Sequence, residues 1–188
     1  MARKSDKRNR LVDAASTIFL LKGIGETTLA NIAVLADVPL GNVYYYFKTK
    51  NELVSDVIKL KHKLLQETLV KIEGEQTTPE LQLKVFIQQF LNLENEEQNL
   101  GATITMLCVE LSKGEKQLFD EFLSLPENII EWCTKRFEAL SKGEQSKKLA
   151  VGLLALLQGI CTMRHAPDAK QMLPLQTNFI EQAIGIAS

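Results

Sequence analysis

The chain has 188 residues, enough for one or two small domains, and 45% of them are hydrophobic, enough to fill a core. Only five prolines and ten glycines are present, which argues against a disordered chain or a long linker, and no run of 18 apolar residues offers a transmembrane span. The charged residues 1–10 are not followed by the apolar stretch of a secretory signal. We therefore expect a cytoplasmic protein with no membrane partner.

The net charge of −1 conceals an asymmetry along the chain. Residues 1–63 carry 11 Lys and Arg against 6 Asp and Glu, whereas residues 64–188 carry 11 against 17. A basic first third on an acidic remainder favours DNA as the partner of the N-terminal part, although a solvated charge fluctuation would give the same pattern. Five of the early cations lie within the first ten residues: Arg3, Lys4, Lys7, Arg8 and Arg10.

Apolar residues recur at helical spacing along the whole chain, and no alternating run of β-branched residues competes with a helical interpretation. We predict an all-α fold of about nine helices. Pro126 is expected to kink or split the helix that contains it, and Pro174 to interrupt the last helix near its start. The predicted helices cover residues 7–22, two short segments between 27 and 47, 49–73, 79–93, 100–111, 115–139, 145–165 and 169–186.

The two short helices are joined by a tight turn. A hydroxyl of Thr27 or Thr28 can cap the first of them, and Pro39 marks the start of the second. In the second helix Val43 and Phe47 are four residues apart and can face the first helix. The side chains that remain are an amide, phenols and ammonium groups, which suit the major groove of DNA.

Two stretches of this chain resemble the DNA-binding domain of TetR-family transcriptional regulators. They are Thr-Thr-Leu-Ala-Asn-Ile-Ala at 27–33 and Gly-Asn-Val-Tyr-Tyr-Tyr-Phe-Lys-Thr-Lys-Asn-Glu-Leu at 41–53. The resemblance implies an N-terminal three-helix helix-turn-helix domain at residues 1–50, continuing into a linking helix at 49–73. It also implies an effector-binding and dimerisation domain at 74–188.

The resemblance assigns DNA contacts within the helix-turn-helix. Base edges are expected to meet Leu40, Asn42, Tyr44 and Tyr46, although Tyr44 or Tyr46 could instead pack on the first helix. Leu40 departs from the basic or polar residue usual in the family, so its contact would be apolar, for example with a thymine methyl group. The full predicted DNA-binding set is Thr28, Leu40, Gly41, Asn42, Tyr44, Tyr45, Tyr46, Lys48 and Lys50, with Tyr45, Lys48 and Lys50 expected on phosphates.

The last two helices are predicted to form a homodimer interface, because small residues recur along an apolar helix and permit close helix contact. Packing within one chain is the alternative. The small-residue row consists of Gly152, Ala155, Leu156 and Gly159, and a four-helix dimer bundle of the kind that the family resemblance implies would use it together with Phe179, Ile180, Ala183 and Ile184. An apolar effector cavity is expected in the C-terminal body, since apolar pockets are the usual small-molecule sites. Its candidate lining is Phe86, Phe90, Met106, Trp132, Phe137 and Met163, which could also be plain core.

The segment 100–112 is similar to the Gly-Cys…Glu-Leu segment of a TetR subgroup with members that sense electrophiles through cysteine, but Ala102 stands where that thiol would be. Three cysteines remain, Cys108, Cys133 and Cys161, without metal-ligand spacing. We therefore expect neither a metal nor another cofactor. His62 and His165 are isolated and no catalytic set can be assembled, so no enzymatic activity is expected.

The sequence thus predicts a ligand-responsive, DNA-binding homodimer, a repressor released by a small apolar or amphipathic effector. One alternative is a repressor of the same fold that senses redox state or electrophiles through cysteine. The other is a helical protein or enzyme with a degenerate helix-turn-helix.

Overall fold

The computed structural model describes residues 2–92, 100–114, 116–163 and 166–186. In these residues the regular elements are nine α-helices and a 3₁₀ turn at Gly143–Gln145, which confirms the predicted all-α class. The helices are α1 Ala2–Lys22, α2 Leu29–Leu35, α3 Leu40–Tyr46, α4 Lys50–Glu75, α5 Pro79–Phe90, α6 Leu100–Leu111, α7 Lys116–Ala139, α8 Ser146–Thr162 and α9 Ala169–Ala183. Across these ranges no helix is both long enough and apolar enough to cross a lipid bilayer.

The chain packs as two compact units that do not follow it in simple order. The first unit comprises Met1–Lys63 with Met106–Phe122, and the second comprises Leu64–Thr105 with Leu123–Ser188. Helices α4, α6 and α7 therefore each contribute residues to both units. The functional boundary predicted at residue 74 remains a prediction.

In the first unit, α1 packs against α2, and α2 packs against α3. Its core consists of apolar side chains at helical spacing, each removed from solvent, and burial of each such side chain contributes about 1.5–3 kcal/mol. Among them are Leu11, Ala15, Phe19, Ile32, Val43, Phe47, Leu53 and Val57.

The second unit contains an aromatic cluster and the packed pair α8 and α9. Phe86 lies 5.7 Å from Phe90 and 5.3 Å from Trp132 between ring centres, the separation of rings in direct contact. Further buried side chains of this unit are Leu65, Ile72, Leu83, Phe137, Leu153, Leu157 and Ile180.

Residues suited to helix ends stand at the start of α5 and after α1. Thr78 caps α5 by accepting from Leu81 N at 3.3 Å, with Pro79 in the first helical position. Gly23 follows α1 with a φ of +82°, the left-handed conformation typical of a C-terminal glycine. The first helix begins at Ala2 rather than at Lys7.

The expected split at Pro126 and the expected interruption at Pro174 need correction. Pro126 does not split its helix, because α7 is continuous from Lys116 to Ala139, and buried Leu125 and Ile129 hold the chain on both sides of the proline. Pro174 likewise lies inside a continuous α9. A proline removes one backbone hydrogen bond, and the neighbouring turns maintain these helices. The polar connection expected at residues 94–99 lies outside the described residues.

Candidate DNA-binding site

The helix-turn-helix begins with a reciprocal cap at Thr28. The Thr28 hydroxyl accepts from Asn31 N at 3.2 Å, while the Asn31 side-chain oxygen accepts from Thr28 N at 3.1 Å. Both bonds satisfy N–H groups that a helix start leaves open. Thr28 is therefore the N-cap, one of the two candidates Thr27 and Thr28, and its exposed position beside α2 is compatible with its predicted DNA contact.

The turn after α2 is a Schellman motif formed without glycine. Asp37 has a φ of +50°, its N–H donates to Val34 O at 3.1 Å, and the N–H of buried Val38 donates to Ala33 O at 3.0 Å. Aspartate tolerates this left-handed conformation better than most residues. The motif ends α2 and turns the chain into α3.

Arg10 of α1 holds this turn from the side. Its guanidinium donates to Ala36 O at 2.6 Å and to Asp37 O at 2.9 Å, and it pairs with the Asp37 carboxylate at 3.0 Å. All three acceptors lie around Nη2, so its two N–H groups are shared among them. Sequence reasoning placed Arg10 in a DNA-facing basic segment and missed this structural role.

The orientation predicted for α3 is confirmed by burial. Val43 and Phe47 are buried, whereas Leu40, Tyr44 and Tyr45 are exposed, Tyr45 by 58%. Gly41 is also exposed, and a methyl group added there would meet no atom within 4 Å. The outward face of α3 therefore offers polar aromatic and apolar groups to a partner.

Asn42 and Tyr46 lie at the margin of this face and are half-buried. Tyr46 packs edge-to-face on Tyr45 with ring centres 5.1 Å apart. It also lines a cleft of about 370 Å³ shared with Arg8 of α1. Of the three tyrosines, Tyr46 thus corresponds most closely to the predicted alternative of packing towards the first helix.

Arg8 is tied to the first unit as firmly as Arg10. It forms an ion pair with the largely buried carboxylate of Asp56, and its guanidinium carbon lies 5.2 Å from the centre of the Phe47 ring. Asp56 in turn lies 3.8 Å from Lys59, which is equally far from Glu121. These contacts join α4 to α1 and to the start of α7. They lie close to Phe47, at the end of α3.

The start of α4 carries a modified capping box. The Thr49 hydroxyl accepts from Glu52 N at 3.2 Å, as expected for a capping residue. The Glu52 carboxylate, however, accepts from Lys48 N at 2.8 Å instead of from Thr49 N. The carboxylate of Glu52 thus binds the N–H one residue before the capping residue, on the side of α3. This bond fixes the segment that joins α3 to α4.

Lys48 and Lys50 occupy different environments. The Lys48 side chain is exposed, and its ammonium donates to Tyr44 O at 2.9 Å at the end of α3. The Lys50 side chain is half-buried, and its ammonium donates to three carbonyl oxygens between α1 and α2. The family resemblance had assigned both residues to phosphates.

The predicted effector residues fall into different environments. Phe86, Phe90, Trp132 and Phe137 are buried in the second unit. Met106 belongs to the first unit and is half-buried, while Met163 is exposed. The four aromatic side chains are thus buried in the second unit, whereas neither methionine is fully buried.

A polar group that sequence reasoning missed borders the aromatic cluster. The Arg136 guanidinium lies 4.0 Å above the Trp132 ring and donates to Gln82 Oε1 at 3.0 Å. It also pairs with Glu73 of α4. Such cation–π stacking on tryptophan is favourable, most of all away from water.

The predicted dimer residues divide by exposure. Ile180 and Ile184 are buried within the chain, so the alternative of intrachain packing accounts for these two. The other six are exposed on α8 and α9: Gly152, Ala155, Leu156, Gly159, Phe179 and Ala183. Further apolar side chains are exposed on the same two helices: Val151, Met172 and Leu175.

The three cysteines differ in burial, and the surroundings of Cys133 do not activate its thiol. Cys133 and Cys161 are buried and Cys108 is half-buried. Burial raises the pKa of the Cys133 thiol to about 12, although the nearby Arg136 charge opposes the rise. Because the thiolate is the reactive form, this environment suppresses redox chemistry at Cys133.

A capped and braced helix pair that exposes one face of its second helix defines a helix-turn-helix DNA-binding protein. Known proteins agree with this class. The family described as bacterial regulatory proteins, tetR family, matches residues 11–57.

Similar proteins extend beyond this region. The fatty acid metabolism regulator protein of Bacillus subtilis is 28% identical over 154 residues, which cover 81% of this chain and 76% of the relative. The transcriptional regulator QacR of Staphylococcus aureus is 22% identical over 184 residues, or 92% and 93% of the two chains. A TetR regulator structure from Chloroflexus aurantiacus superposes with a TM-score of 0.86 at 16% identity, covering 100% of this chain and 98% of the other.

The chain thus matches the tetR family of bacterial regulatory proteins over residues 11–57 and has the fold of solved TetR-family regulators over most of its length. It is accordingly a DNA-binding regulator and not an enzyme. These matches confirm the resemblance identified in residues 27–53.

Proposed function

We propose that this protein is a homodimeric repressor that leaves its operator when a small apolar or amphipathic effector binds. The observation that carries the proposal is the exposed face of α3, with Leu40, Tyr44 and Tyr45 outward on a helix whose inward side is fixed by Val43 and Phe47. A rigid helix that presents these groups can enter a major groove as one body.

Dimerisation is supported by the exposed apolar surface of α8 and α9. Phe179 is 61% exposed, and Leu156 and Gly159 lie in the exposed row of α8. An aromatic anchor next to small residues is the composition expected of a helix–helix interface. A dimer also doubles the number of bases read, with half-sites separated by about 34–36 Å or a multiple of that.

Effector control is supported by the aromatic cluster and its polar margin. Phe86 and Trp132 provide apolar surface, and Arg136 with Gln82 provides polar groups beside it. Apolar walls with few polar groups are typical of small-molecule sites. Glu73 connects this cluster to α4, the helix that begins directly after α3.

The proposed mechanism is a population shift. The effector binds one arrangement of α4 better than another, and the change alters the spacing of two recognition helices in the dimer. To move a two-state equilibrium from 1:99 to 99:1, the ligand must discriminate between the states by about 5.5 kcal/mol. Weaker discrimination gives partial release.

The name of the Bacillus subtilis relative directs the first ligand screen towards fatty acids. Fatty acids of increasing chain length would be titrated into the protein bound to a fluorescently labelled duplex taken from upstream of its own gene. Trp132, which is the sole tryptophan, reports binding through its emission, while anisotropy reports release of DNA. The proposal requires at least one small apolar or amphipathic compound that changes both signals at the same concentration. Compounds that bind with no effect on DNA affinity would contradict effector control.

A further inference from the structure

The start of α3, the recognition helix of the helix-turn-helix, presents three consecutive exposed residues that have no polar side chain. These residues, which we call the apolar tip, are Pro39, Leu40 and Gly41, and Leu40 is 41% exposed. A methyl group added to Gly41 would meet no atom within 4 Å, so the surface beside Leu40 is open. Buried Val38 and Val43 lie on either side of the apolar tip along the chain and anchor it.

The apolar tip belongs to a helix without charged side chains. Residues 38–47, which include the whole of α3, contain no Asp, Glu, Lys or Arg. The nearest charge before them is Asp37, whose carboxylate pairs with Arg10 at 3.0 Å. The nearest charge after them is Lys48, whose ammonium donates to Tyr44 O at 2.9 Å. The apolar tip therefore meets DNA without a cation or a carboxylate of its own.

The place of the apolar tip determines what it can contact. The N-terminal residues of a recognition helix meet base edges in the major groove. All four bases present hydrogen-bonding groups there, and the 5-methyl group of thymine is the one apolar group among them. A leucine placed against another base would cover donors or acceptors without replacing their bonds to water, whereas against thymine it buries the methyl group. Gly41, which has no side chain, allows the helix to come close to the base.

We infer that the apolar tip reads thymine through its 5-methyl group, and that Leu40 is the specificity-determining residue of this contact. This inference deepens the proposed operator binding and rests on it. Guanine is most often read by Arg or Lys and cytosine by Asp or Glu, and α3 contains none of these residues. Each half-site therefore has an A·T pair where the apolar tip enters the groove, with the thymine facing Leu40.

Replacement of thymine by deoxyuridine tests the contact, because it removes the methyl group and leaves base pairing and phosphates in place. Duplexes selected by the wild-type protein from a random library would be synthesised again with deoxyuridine at one thymine at a time, in one half-site or in both. At the thymine that faces Leu40, binding should weaken about fourfold in one half-site and about fifteenfold in both, the loss expected for one buried methyl group per half-site. Unchanged affinity at every thymine would overturn the inference.

Leu40→Ala identifies the side chain that contacts the methyl group. In this variant the affinity ratio of thymine to deoxyuridine duplexes should fall from about fifteenfold to below about twofold, because the methyl group has lost its partner. Val34→Ala, the matched control, removes an apolar side chain that is 83% exposed on α2 and should keep the full ratio. A ratio in Leu40→Ala equal to that of wild type would assign the methyl group to another residue and overturn the inference.

Leu40→Lys should change the preference instead of only weakening it. A lysine can donate to O6 and N7 of guanine, so duplexes selected by this variant should carry guanine in place of the thymine that deoxyuridine identified. Leu40 is an exposed residue, so both of its variants should fold as wild type does, which circular dichroism verifies. Selection of the same thymine by Leu40→Lys would contradict a contact at this position.

Failure of this inference and failure of the proposed function give different results. Wild-type half-sites with a G·C pair at the position where Leu40→Lys alters the selected base would overturn the inference and leave operator binding intact. A wild-type protein that selects no sequence from the library would reject the proposed function, and the inference with it.

Discussion

The indole N–H of Trp132 donates to a carboxylate oxygen of Glu73 over 2.8 Å. The same oxygen accepts from Arg136, whose guanidinium stacks on the Trp132 ring. Glu73 lies in the last turn of α4 and the other two residues lie on α7, so a single carboxylate connects the two helices within the second unit.

Trp132→Phe should lower the free energy of unfolding by about 1–2 kcal/mol, because it removes the N–H donor and weakens the cation–π contact while keeping an aromatic ring. Denaturant unfolding followed by circular dichroism measures the loss, since the sole tryptophan is removed. Lys135→Ala, on the same helix, removes an exposed partner of Glu131 and should leave the free energy unchanged within error. Equal losses in both variants would contradict a role for the Glu73 contact.

Gly101 is required by close packing in the second unit. A methyl group there would overlap Cys161 Sγ and lie 2.6 Å from Phe90 Cε1. Gly101→Ala should therefore destabilise the protein by about 1–3 kcal/mol through overpacking, despite the better helix propensity of alanine. Gly74→Ala, in α4 with no atom within 4 Å of the new methyl group, should be neutral or stabilise by up to about 1 kcal/mol. The same denaturation experiment compares them, and a stable Gly101→Ala protein would reject the packing described.

The cysteines should react in the order of their exposure. At pH 7 a thiol with a pKa of about 12 has about one thiolate in 10⁵, so Cys133 should resist iodoacetamide in the native protein. Cys108, which is half-buried, should be labelled first, and Cys133 and Cys161 only after unfolding in urea. Peptide mass spectrometry after timed labelling gives the order. Rapid native labelling of Cys133, with loss of DNA binding, would instead favour a thiol-sensing repressor.

Phe179→Asp should convert the dimer into a monomer, because an exposed ring expected at the interface is replaced by a charge that would have to be buried. Sedimentation equilibrium measures the mass. Val70→Asp is the control, since Val70 is 65% exposed on α4 and lies outside the proposed interface. A dimer that survives Phe179→Asp, or one that Val70→Asp also dissociates, would place the interface elsewhere.

Local chemistry was predictable from the sequence. The caps at Thr28 and Thr78 each bond a group three residues away. The inward face of α3 follows from Val43 and Phe47, which are four residues apart. Such features depend only on neighbours along the chain. They favoured a pair of short helices joined by a turn, and the resemblance of residues 27–53 to a known family indicated its class.

Contacts between distant residues were not predictable in this way. Lys50 meets carbonyls 23 to 26 residues away, and Glu110 meets an amide 85 residues away. Nothing in the local pattern distinguishes Lys50, which faces the loop between α1 and α2, from Lys48, which faces outward. Periodicity likewise grouped Ile180 with Phe179, although one is buried in the chain and the other exposed.

The most direct test of the central claim is the DNA preference of the α3 face. Duplexes would be selected from a random library by the wild-type protein, and their Kd compared with that of scrambled duplexes at one salt concentration, for wild type and Asn42→Ala. We predict selected sites with two half-sites, bound at least about 10³-fold more tightly than scrambled DNA, and a smaller ratio for Asn42→Ala at unchanged scrambled affinity. Selection of no sequence, or equal binding of selected and scrambled duplexes at low salt, would contradict sequence-specific DNA recognition by this helix.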